Sequence, residues 1–308
     1  MDLRERLGKE WLFCDGGTGA ILQDMGLKGG DLPETWNISR PDDIRSLGRA
    51  YFEAGCNIVN ANTFGANSFK FKNLEEIVSA GVRLCCEARS EAGRSGDAYV
   101  AIDIGPTGKL LAPMGDLSFN EAVNVFSRTI RAGVKAGGDL VLIETMSDSY
   151  EAKAAVIAAH ETCDLPVIVT MVYDEGGKLL TGGSVEGTVA MLEGLKVDAI
   201  GVNCGFGPMQ MLPIVRRIAD CCSLPVVVNP NAGLPHTVNG KTAYDIGPDE
   251  FCSIMKDIAG LGVHVMGGCC GTTPEHISKL IKTITPLPFT PPVKKHGTFV
   301  TSFSECVE

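Results

Sequence analysis

The chain has 308 residues, 44% hydrophobic and 21% charged, with 37 glycines, a globular composition long enough for one large domain. Its formal charge of −10 argues against nucleic acid or an anionic membrane as a partner. No apolar run reaches the ~18 residues of a membrane span.

The first residues, MDLRERLGKEW, are charged and lack the apolar core of a secretory signal. Eight short apolar runs follow, each closed by glycine or polar residues, at 11–15, 57–63, 99–104, 140–145, 166–173, 199–204, 225–231 and 263–268. Helical spacing fills the intervals, as at 40–54, 74–92, 119–136 and 151–163. Strands alternating with helices predict a parallel sheet. Eight such units suit an α/β fold of the (β/α)8 TIM barrel type, typically ~250 residues. An open doubly wound sheet is the alternative. It would more often carry a glycine fingerprint after its first strand, and DGGTGA at 15–20 is not GxGxxG.

Two helix starts are readable. Pro41 with Asp42 and Asp43, and Thr273 with Pro274 and Glu275, combine a proline in the first turn with acids near the positive end of the helix dipole. Beyond residue 284 the pattern changes. Four prolines within 285–292 require extended chain. The sequence therefore divides into a barrel at 1–284 and a Pro-rich extension or linker at 285–308.

Twelve cysteines are many, but a secreted disulfide framework belongs to shorter chains. The reading is a reducing, cytoplasmic location with most cysteines serving as small buried hydrophobes. Cys85–Cys86 and Cys221–Cys222 sit in helical patterns and fit that role, and Cys14 is expected to face the helix layer. Cys269 and Cys270 differ, because Gly267, Gly268 and Gly271 bracket them. In a regular strand the pair would point to opposite faces; glycines allow the turn that lets both face one ion. With Cys204 they offer three sulfur ligands. A tetrahedral zinc with three protein ligands keeps one open position, the arrangement of catalytic zinc.

In a barrel of this kind, chemistry sits at the carboxyl ends of the strands. Those ends carry Asp15, Asn62, Asp103, Glu144, Thr170, Cys204, Asn231 and the Cys269–Cys270 pair. Asp15 and Glu144 are candidates to hold a substrate ammonium by charge-assisted hydrogen bonds. The backbone N–H groups of Gly16 and Gly17 are candidates for its carboxylate, and the Asn231 amide for a neutral, displaceable metal ligand. Asp103 fits either the site or a simple turn. None of the five histidines is assigned to the metal, and no P-loop lysine follows DGGTG. A coordinated thiol is deprotonated outright, so a zinc held by three cysteines suits alkylation of a substrate thiol better than activation of water.

The motifs DGGTGA (15–20), NANTFGAN (60–67), DIGPTG (103–108), ETMSD (144–148), GVNC (201–204), NPNAG (229–233) and GGCCGTTPEH (267–276) together resemble the homocysteine S-methyltransferase family, from about residue 10 to 284. DIGPTGKLLAPMGDLSF is most similar to the N-terminal homocysteine module of the cobalamin-dependent methionine synthases. The resemblance implies a (β/α)8 barrel, zinc on Cys204, Cys269 and Cys270, and homocysteine as methyl acceptor. It also implies Asp15 and Glu144 as substrate-binding residues and Asn231 beside the metal. The implied donor is a methylcorrinoid carried by a corrinoid-binding module or protein. The corrinoid motif Asp-x-His-x-x-Gly does not occur, and the tail GTFVTSFSECVE (297–308) is similar to the stretch that leads toward a folate module in the long enzymes. The chain is thus read as an excised fragment or as a short protein served by a separate carrier. A small onium donor (betaine or S-methylmethionine) and a non-catalytic barrel with a structural zinc are the alternatives.

Overall fold

Eight parallel strands form a single ring: β1 (Leu12–Phe13), β2 (Ile58–Asn60), β3 (Tyr99–Ile104), β4 (Leu140–Met146), β5 (Val167–Met171), β6 (Ala199–Asn203), β7 (Val226–Asn229) and β8 (Val265–Met266). The computed structural model describes every residue except Met1, Asn239, Gly240, His296, Thr298, 303–305 and Glu308. Strand order around the sheet is β1-β8-β7-β6-β5-β4-β3-β2. A parallel bridge between Cys14 and Ile58 closes the ring, with the Asn57 N–H donating to Phe13 O at 2.8 Å and the Asp15 N–H to Ile58 O at 3.0 Å. Helices occupy the intervals, as the alternating pattern requires, and the fold is a (β/α)8 barrel. Closure leaves this eight-stranded sheet without an edge strand.

Local chemistry sets the helix ends. The helix Pro41–Ala54 opens with its proline and two aspartates and stops at Gly55, whose φ is +108°. The helix Pro274–Ile284 opens with a capping box in which the Thr273 and His276 side chains each meet the other's backbone.

Strand side chains alternate between two layers. Leu12, Cys14, Ile58, Ala101, Leu140, Leu142, Ile168, Ala199, Val227 and Val265 pack with one another inside the ring, and Leu3 and Leu7 close its amino-terminal end. Phe13, Val59, Ile102, Val141, Ile143, Val169, Ile200 and Val228 pack outward against the helices. Cys14 therefore lies inside the barrel rather than toward the helices, because Leu12 points inward and the period is two. The same alternation carried to the strand tops puts Asn60, Asp103, Glu144, Thr170, Asn203 and Asn229 on the inner face. Each inward row runs from apolar to polar toward its carboxyl end.

The Pro-rich extension crosses the opposite, amino-terminal face. The Trp11 Nε1–H donates to Leu287 O at 3.2 Å, and the Phe289 ring meets Trp11 edge-on at 5.3 Å and His264 at 5.7 Å. The Lys295 N–H donates to Ser223 Oγ at 3.0 Å. Residues 300–301 and 306–307 then pair antiparallel; the rest of the tail motif noted above lies partly outside the described residues. A second hairpin, His236–Val238 with Lys241–Ala243, rises from the loop after β7, a feature the sequence pattern does not announce. Among the described residues no helix is long and apolar enough to cross a membrane.

Candidate active site

Cys204 follows inward-facing Asn203, so regular strand geometry would turn it outward. Left-handed backbone at Cys204 (φ +55°) and Gly205 (φ +72°) reverses the chain instead, and the Phe206 N–H closes the turn on Cys204 O at 2.7 Å. The cysteine pair is stitched to both neighbouring strand ends. The Gly268 N–H donates to Asp15 O at 2.9 Å, the Cys269 N–H to Pro230 O at 2.8 Å, and the Ala232 N–H to Cys270 O at 2.9 Å. Gly16 and Gly17 permit this approach: a Cβ would lie 2.5 Å from Thr272 Oγ1 at Gly16 and 2.7 Å from Cys269 O at Gly17.

The three sulfurs of Cys204, Cys269 and Cys270 lie within 4.8 Å of one another, the one such cluster of potential metal ligands among the described residues. Cys204 Sγ and Cys270 Sγ are 3.9 Å apart. Tetrahedral zinc with Zn–S bonds of ~2.3 Å places its sulfurs about 3.8 Å apart, so the donor set fits that ion in type and spacing. Hydrogen bonds from Cys204 and Cys269 hold the Cys270 thiol far below its usual pKa, while hydrogen bonds with Cys204 and Cys270, then burial, push Cys269 up. Binding a cation would release the protons of the thiols that ligate it. Asn231 lies on the segment that pairs with Cys269 and Cys270; it is buried, and its Oδ1 has no hydrogen-bond partner.

A cavity of about 490 Å³ opens beside the sulfurs, lined by Glu144, Asp103, Gly16, Gly17 and all three cysteines, and also by Glu34, Phe64 and Lys70. Three expected site residues behave differently, one of them Asn231, which does not line this cavity. Asp15 does not line this cavity. It sits behind the wall, where its Oδ2 accepts the Asn60 N–H at 2.8 Å, because the β1 backbone turns toward β8 there. The Gly17 N–H is donated to Thr272 Oγ1 at 3.0 Å, so it is not free for a carboxylate. Asp103, open to either reading from sequence, faces the cavity with Oδ1 buried and unpartnered.

The acids repel one another in this setting. Burial raises Asp15 to about 7, against the opposing Asn60 N–H. Burial, then the charges of Asp15 and Cys204, raise Glu144 to about 8. Asp103 is raised well above its usual range by burial and then by Glu144, Asp15 and Glu34. A ligand ammonium is the group that would relieve this crowding.

Sequence reasoning missed Glu34 and Asn203. Glu34 comes from the β1 loop, and its carboxylate accepts the Gly65 N–H, a contact between loops that no local pattern encodes. Asn203 was findable, since alternation from Ala199 points it into the barrel.

A family model described as homocysteine S-methyltransferase matches residues 12–284. The chain belongs to the homocysteine S-methyltransferase family. Among its relatives, a methionine synthase of Mycobacterium leprae is 31% identical over 306 residues, covering 92% of this chain and 25% of the relative. One of Mycobacterium tuberculosis is 30% identical over 302 residues with the same coverage. The chain thus spans about a quarter of the length of these relatives. The oxidised form of the homocysteine methyltransferase MmuM from Escherichia coli superposes with a TM-score of 0.75 at 21% identity, covering 88% of this chain and 95% of that one. At that identity the likeness speaks for the barrel.

Proposed function

We propose that this chain transfers a methyl group from a methylcorrinoid to the thiol of homocysteine, giving methionine, with zinc on Cys204, Cys269 and Cys270. The observation that carries the reading is that three sulfurs and two facing carboxylates, Glu144 and Asp103, line one cavity. A metallated form of the E. coli MmuM supports a metal in this fold. Zinc held by three thiolates would keep the acceptor's sulfur ionised near neutral pH, where a free thiol of pKa ~8.5 is only a few per cent thiolate.

The chain's own residues supply the rest. Glu144 and Asp103 hold the acceptor's ammonium, and Asp15 adds negative charge from behind the wall. Gly16 and Gly17 form the floor against which the amino-acid end lies. With a metal bound, the unpartnered Asn231 Oδ1 would be available to it as a neutral, displaceable ligand. The acceptor's sulfur attacks the methyl carbon in line; the S–CH3 bond forms as the bond to the donor breaks, its electron pair leaving with the donor.

The donor reading rests on the DIGPTGKLLAPMGDLSF resemblance and on relatives that are methionine synthases. In this proposal residues 1–284 are the catalytic unit and 285–308 an extension, and the corrinoid arrives on another module or protein. The unpaired cysteines fit a cytoplasmic setting. A small onium donor is the second reading, favoured by the acidic cavity wall. Incubating the reduced, zinc-loaded chain with homocysteine and a panel of donors separates them. Methionine from free methylcobalamin is expected; methionine from betaine or S-methylmethionine alone would shift the assignment to the second reading, and none from any donor would reject both.

A further inference from the structure

Strand β4 carries an irregularity at the site. Ile143 pairs with Val169 and Met146 with Met171, so three steps on β4 match two on β5. The extra residue falls at Glu144–Thr145, and Thr145 has a φ of +61°. This is a β-bulge, a device that re-aims a side chain and frees a backbone N–H from the ladder. A left-handed conformation at a β-branched residue persists only where its surroundings hold it.

The Asn203 side chain holds it. The freed Thr145 N–H donates to Asn203 Oδ1 at 2.9 Å. A backbone N–H can only donate, which fixes the amide's orientation. The same Oδ1 accepts from Thr170 Oγ1 at 2.8 Å. Asn203 Nδ2 therefore faces the other way, donating to Thr145 Oγ1 at 2.8 Å and lying 3.9 Å from Cys269 Sγ. The amide is fully buried, and its two donors and two acceptor positions are all used.

We infer that Asn203 is a positioning residue that joins the two halves of the site, clamping the backbone of the bulge directly after Glu144 while donating to the sulfur of Cys269. The inference deepens the function proposed above and rests on it. A donor to a ligating sulfur tunes the metal, as hydrogen-bond partners of ligands generally do. The bulge clamp sets where the acceptor's ammonium meets its carboxylate. Disturbing this one amide should therefore move metal and acceptor binding together, although Asn203 does not line the cavity.

Asn203→Asp tests this. The carboxylate keeps the shape and accepts from Thr145 and Thr170 but turns a lone pair toward Cys269. Zinc affinity, read by chelator competition, should fall about 10- to 100-fold. The homocysteine dissociation constant of the zinc-loaded variant should rise about fivefold or more, a typical size for such coupling. In cobalt-substituted protein the sulfur-to-metal charge-transfer band should shift, which a loss of stability alone would not cause. A folded N203D in which either affinity stays within about twofold of wild type overturns the inference. Should N203D not fold, Thr145→Ala removes the hydroxyl that Nδ2 contacts together with the γ-methyl, and Thr145→Ser removes the methyl alone. Thr145→Ala should weaken homocysteine binding about threefold or more, the scale of one lost hydrogen bond, with Thr145→Ser restoring it; no loss, or no rescue, also overturns the inference. A wild-type chain that binds neither zinc nor homocysteine would reject the proposed function instead. The amide–sulfur contact is then still read without metal, as the rate at which Cys269 is alkylated by iodoacetamide: a change in N203D supports it and an unchanged rate overturns it.

Discussion

At the amino-terminal face of the barrel, half-buried carboxylates reach partners, while the nitrogens Arg89 Nε and His264 Nε2 do not. Arg4 Nε donates to Asp198 Oδ1 at 2.7 Å, and Asp198 Oδ2 accepts the Val167 N–H at 2.8 Å. Asp139 joins Arg89 to the Val100 N–H. At the carboxyl-terminal face, buried oxygens of Glu34, Asn60, Asp103, Asn229 and Asn231 have no hydrogen-bond partner. A buried oxygen without a partner costs on the order of 1–3 kcal/mol. The buried oxygens without a partner thus gather at the carboxyl-terminal end, as expected where the missing partners are ligands.

The sharpest way to break this contrast is at the sulfurs. Cys204→Ala, Cys269→Ala and Cys270→Ala should each remove bound zinc and lower methyl transfer by about a thousandfold or more, the scale of losing a central catalytic group. Their metal-free melting temperatures should stay within a few degrees of wild type. Metal analysis finding full zinc in any of them would contradict the site. Next, Glu144→Gln should weaken homocysteine binding by about tenfold or more while zinc is retained, because one charge-assisted hydrogen bond is lost. Asp15→Asn should do less, since Asp15 stands behind the wall. Calorimetric titration separates the two.

Ionisation gives a smaller, signed effect. Asp15 and Glu144 are raised to about 7 and about 8 in the folded chain, above their unfolded values near 4. Between about pH 4 and pH 8 the folded state holds more protons, so stability falls as pH rises through that window. The metal-free, ligand-free chain should melt several degrees lower at about pH 8.5 than at about pH 5.5, and Glu144→Gln should flatten the slope. A slope of the opposite sign would contradict the buried placement of these acids. Smallest for activity is the far end. Phe289→Ala loses ring contacts worth about 1 kcal/mol each and should lower the melting temperature by a few degrees while kcat/KM stays within about twofold. A large loss of activity would show that the two ends are not independent.

Much of the architecture was legible because strand ends and helix starts are local. Eight apolar runs gave the barrel, and the glycine-bracketed Cys269–Cys270 pair with Cys204 gave the sulfur cluster. What escaped depends on register between distant segments. Whether Asp15 faces the cavity is decided by how β1 turns toward β8, and whether the Gly17 N–H is free by Thr272, far away in sequence. The bulge at Thr145 is an offset between β4 and β5, invisible in either strand alone. Cys14 is a simpler case: period-two alternation from inward Leu12 turns it into the barrel, against the expected helix-facing position.

Zinc-edge X-ray absorption of the reduced, zinc-loaded chain, recorded with and without homocysteine, tests the central claim most directly. Three sulfur neighbours with one light atom before the acceptor is added, and four sulfurs after, is the expected result. A sulfur count that does not change on adding homocysteine, or a shell containing histidine nitrogen, would contradict the account.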